Sequence, residues 1–227
     1  MADLTGILSA TAPESVINAW YEAHYTPRTW LGLSEVGHPC GRYLWYVHHG
    51  YPRLDPPGQI LRLFRFGDMI EDLVVQEMIG AGYNIYGRQW EVDFNDGPLT
   101  LTGHIDGIVE GLIESKQPHL LEVKSANEKS FNDLKKTRSY EAWQPKYKGQ
   151  IHVYALSLKL TRILAVVVNK NTSEMYTERI KTDKEYAITR LVDVFRDIQS
   201  AAPPERKCPN AAWYESKWCP YYKECFK

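Results

Sequence analysis

The chain has 227 residues, enough for one well-buried core and a small appendage. Hydrophobic residues at 44% and charged residues at 24% exclude a disordered or fibrous chain, and no apolar run approaches the roughly 20 residues of a membrane span. The opening MADLTGILSATAPES has neither the basic start nor the apolar stretch of a secretion leader, so a cytoplasmic protein with no membrane partner is expected. The net charge of −1 does not by itself announce a nucleic-acid partner, but it is unevenly spread. Lys116 to Lys148 holds eight Lys/Arg against four acids, a surplus of +4 that leaves −5 elsewhere. Such a segment can grip phosphates or simply keep a helix face in water.

In chain order, Pro13 to Tyr25 predicts a short helix, with Val16, Ile17, Trp20 and Tyr21 at helical spacing. Ser34 is placed to cap a second helix that resumes after Pro39 and closes at Gly50-Tyr51-Pro52. Gln59 to Ala81 carries the strongest helical pattern, a stripe of Ile60, Leu63, Phe64, Met69, Ile70, Leu73, Val74, Met78 and Ile79. Strands are expected at Arg88–Phe94 and Leu99–Val109, parted by an Asn95-Asp96-Gly97-Pro98 turn, and at His119–Lys124. A short helix at Asn127–Lys136 and a longer one at Trp143–Leu160 follow. Then come strands at Arg162–Asn169 and Met175–Lys181 and a last long helix at Thr182–Ser200, with Tyr186, Leu191, Val194, Phe195 and Ile198 inward.

Function concentrates between Leu101 and Ser125. Period two on a strand puts Glu122 and Lys124 on one face and Leu121, Val123 and Ser125 on the other. A bend between this strand and the one before it would set Asp106 beside Glu122. Two carboxylates meeting at one point with an ammonium on the same side make a site for a hard divalent cation, Mg²⁺ or Mn²⁺, of the kind that acts on phosphates. The competing reading is the polar outer face of an ordinary antiparallel sheet.

These residues resemble the PD-(D/E)XK nuclease superfamily, whose pattern is a metal-binding Asp followed by a strand with (D/E)-x-K, here Asp106 and Glu122-Val123-Lys124. RecB-like members carry an earlier motif on a helix, a Gly followed four residues later by a His or Glu that reaches the metal; Gly67 and Glu71 fit it. They also place a Gln-x-x-x-Tyr motif beside the active site, matched by Gln150 and Tyr154, which share a helix face. The resemblance implies an α/β (α+β) restriction-endonuclease-like core, a mixed sheet flanked by helices. It further implies Glu71, Asp106, Glu122 and the Val123 carbonyl as metal ligands, and Asp106, Glu122, Lys124, Gln150 and Tyr154 as the catalytic set.

Cys40, Cys208, Cys219 and Cys225 remain. A cytoplasmic protein rarely forms disulfides, and the Pro-, Trp- and Tyr-rich tail has little aliphatic core, so a metal staple suits it. Iron–sulfur, zinc and unligated buried thiols are all open readings of the residues alone. One early Cys and a tail ending C-x₅-C resemble the iron–sulfur subset of RecB-like nucleases, which includes CRISPR-adaptation exonucleases and the AddB nuclease domain. That implies a 4Fe–4S cluster, with zinc as the alternative. The family tail is C-x₂-C-x₅-C, whereas ten residues separate Cys208 from Cys219. The expected organisation is an N-terminal segment 1–58 giving Cys40 to a cluster lobe, a nuclease core 59–200 and a tail 201–227. The expected function is a DNA exonuclease of recombination, repair or CRISPR adaptation, acting on ends or single strands with partner proteins from those systems. A DNA-end-binding structural module is the alternative.

Overall fold

The computed structural model describes residues 12–97 and 99–227. Residues 1–11 of the leader reading, and Pro98 of the expected turn, lie outside them. Among the described residues, no helix is long and apolar enough to cross a membrane.

The elements are α1 (Pro13–Ala23), a 3₁₀ turn (Leu33–Glu35), α2 (Gly41–His48), α3 (Gly58–Gly80), β1 (Asn84–Tyr86), β2 (Glu91–Asp96), β3 (Leu99–His104), β4 (Gly107–Glu110) and β5 (His119–Ala126). They continue with α4 (Glu128–Thr137), α5 (Tyr140–Trp143), α6 (Pro145–Ser157), β6 (Arg162–Asn169), β7 (Met175–Lys181), α7 (Lys184–Gln199), a second 3₁₀ turn (Ser216–Trp218) and α8 (Tyr222–Cys225). A five-stranded sheet runs β1-β4-β5-β6-β7, with β2 and β3 forming a separate ribbon. Among the described strands, β5 and β6 pair parallel and the other pairs are antiparallel. The mixed sheet between helices is the fold class expected from the sequence.

Alternation along β5 and β6 divides two apolar layers. Leu120, Ile163, Ala165 and Val167 join the larger core with α4, α6 and α7. Leu121, Val123, Leu164, Val166 and Val168 join a smaller one with Val74 and Val75 of α3. α6 is buried all along Gly149–Ala155, which is what a helix wedged between a sheet and a second helix requires. The segment before α2 is part of the same core: Leu31, Leu33 and Val36 are buried. It passes so close to α6 that a Cβ on Gly149 would stand 2.4 Å from the Gly37 Cα.

Several sequence expectations change. Ser34 caps nothing; it lies in the 3₁₀ turn, and α2 starts from Cys40 without a side-chain cap. The helix expected from Trp143 to Leu160 runs only over Pro145–Ser157; Trp143 ends the separate α5, because Gln144 (φ −138°, ψ 85°) leaves the helical region ahead of Pro145, which opens α6 at its first position. Val16, Ile17 and Trp20 of α1 are exposed, as are Leu63, Phe64, Met69, Leu73 and Ile79 of α3. α3 buries Leu61, Val74 and Val75, so only part of the expected apolar stripe is core. α3 ends where the pattern said, with Gly82 at φ 96° and Tyr83 N–H donating to the Met78 carbonyl at 3.1 Å. Finally, the strand expected from Leu99 to Val109 breaks at Ile105-Asp106. β3 pairs with β2, whereas β4 pairs with β1 and β5.

Candidate metal centre

That break builds the site. β4 and β5 pair with Gly107 opposite Leu121, so Asp106 falls beside Glu122 at the mouth of the pair. The Val123 N–H donates to Asp106 Oδ2 at 2.7 Å, pinning the carboxylate on β5. Glu122 is fully buried and Asp106 is 8% exposed. Burying a carboxylate costs several kcal/mol unless a partner offsets it. Here Lys124 Nζ lies 2.6 Å from Glu122 Oε1 and donates to the Val123 carbonyl at 3.2 Å. At 2.6 Å the Lys124 ammonium is the direct partner of that carboxylate oxygen. Gln150 Nε2 reaches Glu122 Oε2 at 3.5 Å.

Burial raises the Glu122 carboxyl against the pull of Lys124, with Asp106 and Glu71 adding to the rise, to about 7. Burial works against the charge on Lys124, but Glu122 and Asp106 outweigh it and hold the ammonium above the ordinary lysine range. Glu71, from the middle of α3, is held above the usual carboxylate range by burial and then by Asp106, with Arg88 opposing. It accepts from Arg88 Nη2 at 3.2 Å and from Gln89 Nε2 at 3.0 Å. Three carboxylates therefore share one field, met by Lys124 and Arg88.

Tyr154 is buried, with its hydroxyl against Gly103: a Cβ there would stand 2.4 Å from it. Its phenol is raised by burial and then by Glu122 and Asp106, so Gln150 and Tyr154 both border the site. Sequence reasoning missed three neighbours. Tyr140 is fully buried with an unpartnered hydroxyl, raised by burial and then by Glu122. The Tyr147 ring lies 5.5 Å from Lys124 Nζ. Gln89 was read inside a strand from Arg88 to Phe94, yet β2 starts at Glu91 and Gln89 sits at φ 55°. Much of the basic segment is neutralised locally: Lys135 pairs with Glu174, Lys136 with Asp133 and Lys148 with Glu141.

Among the described residues, no three His, Cys, Asp or Glu side chains stand close enough as placed to enclose a metal ion. The chemistry of the donors nevertheless fits a hard dication: carboxylates at Asp106, Glu122 and Glu71 and a carbonyl at Val123. The Lys124 ammonium faces the same two groups, the Glu122 carboxylate and the Val123 carbonyl, that a cation would use.

The four cysteines are free and half-buried. Burial raises the Cys219 thiol, with Cys40, Cys225 and Cys208 adding in the same direction, yet as placed no three of the four stand close enough to hold a metal ion. The chain ends are laced there. Arg42 Nε donates to the Pro204 carbonyl at 2.6 Å, Trp45 Nε1 to that of Ser200 at 2.9 Å, and the Leu54 N–H to that of Pro220 at 2.9 Å.

No protein-family profile matches the chain, and no curated protein is similar enough in sequence to match. Solved structures do match. The alkaline exonuclease LHK-Exo of Laribacter hongkongensis superposes at a TM-score of 0.53, with 14% identity, covering 79% of this chain and 90% of that one. The same exonuclease in complex with dAMP gives 0.55 and 14%, covering 74% and 85%. At that identity the likeness is one of fold alone: this chain shares the mixed α/β fold of that exonuclease.

Proposed function

We propose that this protein is a Mg²⁺- or Mn²⁺-dependent DNA nuclease that hydrolyses phosphodiester bonds, working as an exonuclease on ends or single strands. The observation that carries the reading is the meeting of Asp106, Glu122 and Lys124 at the β4–β5 junction. The shared fold with an exonuclease that has been solved with dAMP supports it.

Asp106, Glu122, Glu71 and the Val123 carbonyl would hold the ion, which when bound supplies an acidified water and neutralises charge on the phosphoryl group. Asp106 is kept oriented by the Val123 N–H, and Gln150 steadies Glu122 from α6. Lys124 Nζ is the side-chain donor placed to meet a phosphoryl oxygen beside these carboxylates. Tyr154 and Tyr140 close the inner wall and keep bulk water from the buried end of Glu122. For the four cysteines the proposal is a 4Fe–4S cluster, with zinc as the alternative; a thiolate set of four suits either. A place in recombination, repair or CRISPR adaptation, with partner proteins of those systems, belongs to the same proposal and rests on the sequence resemblance.

End-labelled single- and double-stranded DNA incubated with Mg²⁺, Mn²⁺ or EDTA tests this. Cleavage is expected with either metal and not with EDTA, and Asp106→Ala or Lys124→Ala should lower it by about 10³-fold while circular dichroism stays unchanged. Undiminished cleavage by both variants sinks the assignment.

A further inference from the structure

Glu71 and Asp106 come from distant parts of the chain, one from mid-α3 and the other from the break between β3 and β4. One residue touches both places. Gln89 donates its side-chain Nε2–H to Glu71 Oε1 at 3.0 Å. Its backbone N–H donates to the carbonyl of Ile105, the residue before Asp106, at 2.9 Å. Trp90 completes the tie, its carbonyl accepting from the Ile105 N–H at 3.1 Å. Both backbone polar groups of Ile105 are thus held by the loop that carries Gln89.

Gln89 does this from φ 55°, the left-handed region where a side chain is strained and glycine is favoured. Gly87, two residues earlier in the same loop, takes φ 65° without that strain. A strained backbone kept at a site, together with a hydrogen bond to a site carboxylate, points from geometry to function. Arg88 also binds Glu71, but it divides its guanidinium with the exposed Asp72, 2.7 Å away, and its positive charge repels an incoming dication. The neutral amide of Gln89 orients the carboxylate without that repulsion.

We propose that Gln89 is a positioning residue that sets the Glu71 carboxylate relative to Asp106, so that the two form one side of the cation site; this rests on the metal-nuclease reading. The test uses the full chain and Mn²⁺ alone, titrated by calorimetry, with thermal unfolding measured beside it. Gln89→Met keeps the length and the backbone conformation but removes the donor. Gln89→Gly removes the side chain and relieves the left-handed strain. Both are expected to weaken Mn²⁺ binding by about tenfold, the usual cost of losing a group that orients a ligand. Gln89→Gly should unfold at the wild-type temperature or above it, an effect opposite to that of losing a merely structural contact. If both variants bind Mn²⁺ like wild type while Asp106→Ala does not bind it, the positioning role fails and the nuclease reading stands. If wild type neither binds Mn²⁺ nor cuts DNA, both fail.

Discussion

The acidic site and the cysteine-bearing chain ends each draw on residues far apart in the sequence, but by different means. At the acidic site, regular structure does the gathering. β-sheet register places Asp106 against Glu122, and helical spacing turns Gln150 and Tyr154 to the same side. At the chain ends, short turns and coil are laced by single hydrogen bonds such as Arg42 to Pro204 and Trp45 to Ser200. The buried carboxylates are costly, so they need a rigid surround; the thiols need only proximity, and a ligand can supply the rest.

Three measurements probe that contrast. The largest effect is expected beside the acidic site. Gly149→Val forces a side chain onto the Gly37 backbone and should destabilise the whole protein by about 3 kcal/mol, as overpacking against a rigid neighbour does; denaturant unfolding reads it. On the proposed 4Fe–4S reading of the chain ends, Cys219→Ser should abolish absorbance near 400 nm (roughly, for Cys-held iron–sulfur clusters) in anaerobically purified protein and speed proteolysis within residues 201–227. DNA cleavage and the main unfolding transition should persist. Unfolding of the whole chain on that change would erase the distinction between the two regions.

The smallest effect belongs to His119, buried at the start of β5 with Nδ1 2.8 Å from the Gln117 carbonyl. Burial lowers its pKa below the ordinary histidine value, so the unfolded chain takes up the proton first. Stability should therefore be intact above about pH 6.5 and fall as the pH drops through and below it. Gln in place of His119 should remove part of that slope. His38, also depressed by burial, to about 4, contributes with the same sign.

Much of the acidic site was legible in the sequence because strands and helices have fixed periods. Once β5 is a strand, Glu122 and Lys124 must share a face, and Ala126 at its end follows suit. The break at Ile105-Asp106 was not legible. Leu99 to Val109 reads as one β-rich run, and only the demand of two separate sheets splits it. Gln89 was hidden for a related reason: a left-handed glutamine has no compositional mark, unlike Gly82 at the end of α3, where the sequence pattern and φ agree. The exposed apolar residues of α3 misled in the other direction, since a hydrophobic stripe announces a buried face only if the fold supplies something to cover it.

The close approach of Gly37 to Gly149 has a practical consequence for anyone dissecting this molecule. A shortened version spanning residues 59–200 would keep Glu71, Asp106 and Glu122, yet it would lose Leu31, Leu33 and Val36, which lie against the helix bearing Gln150. Such a fragment should come out of expression insoluble or inert, for want of a wall rather than for want of chemistry.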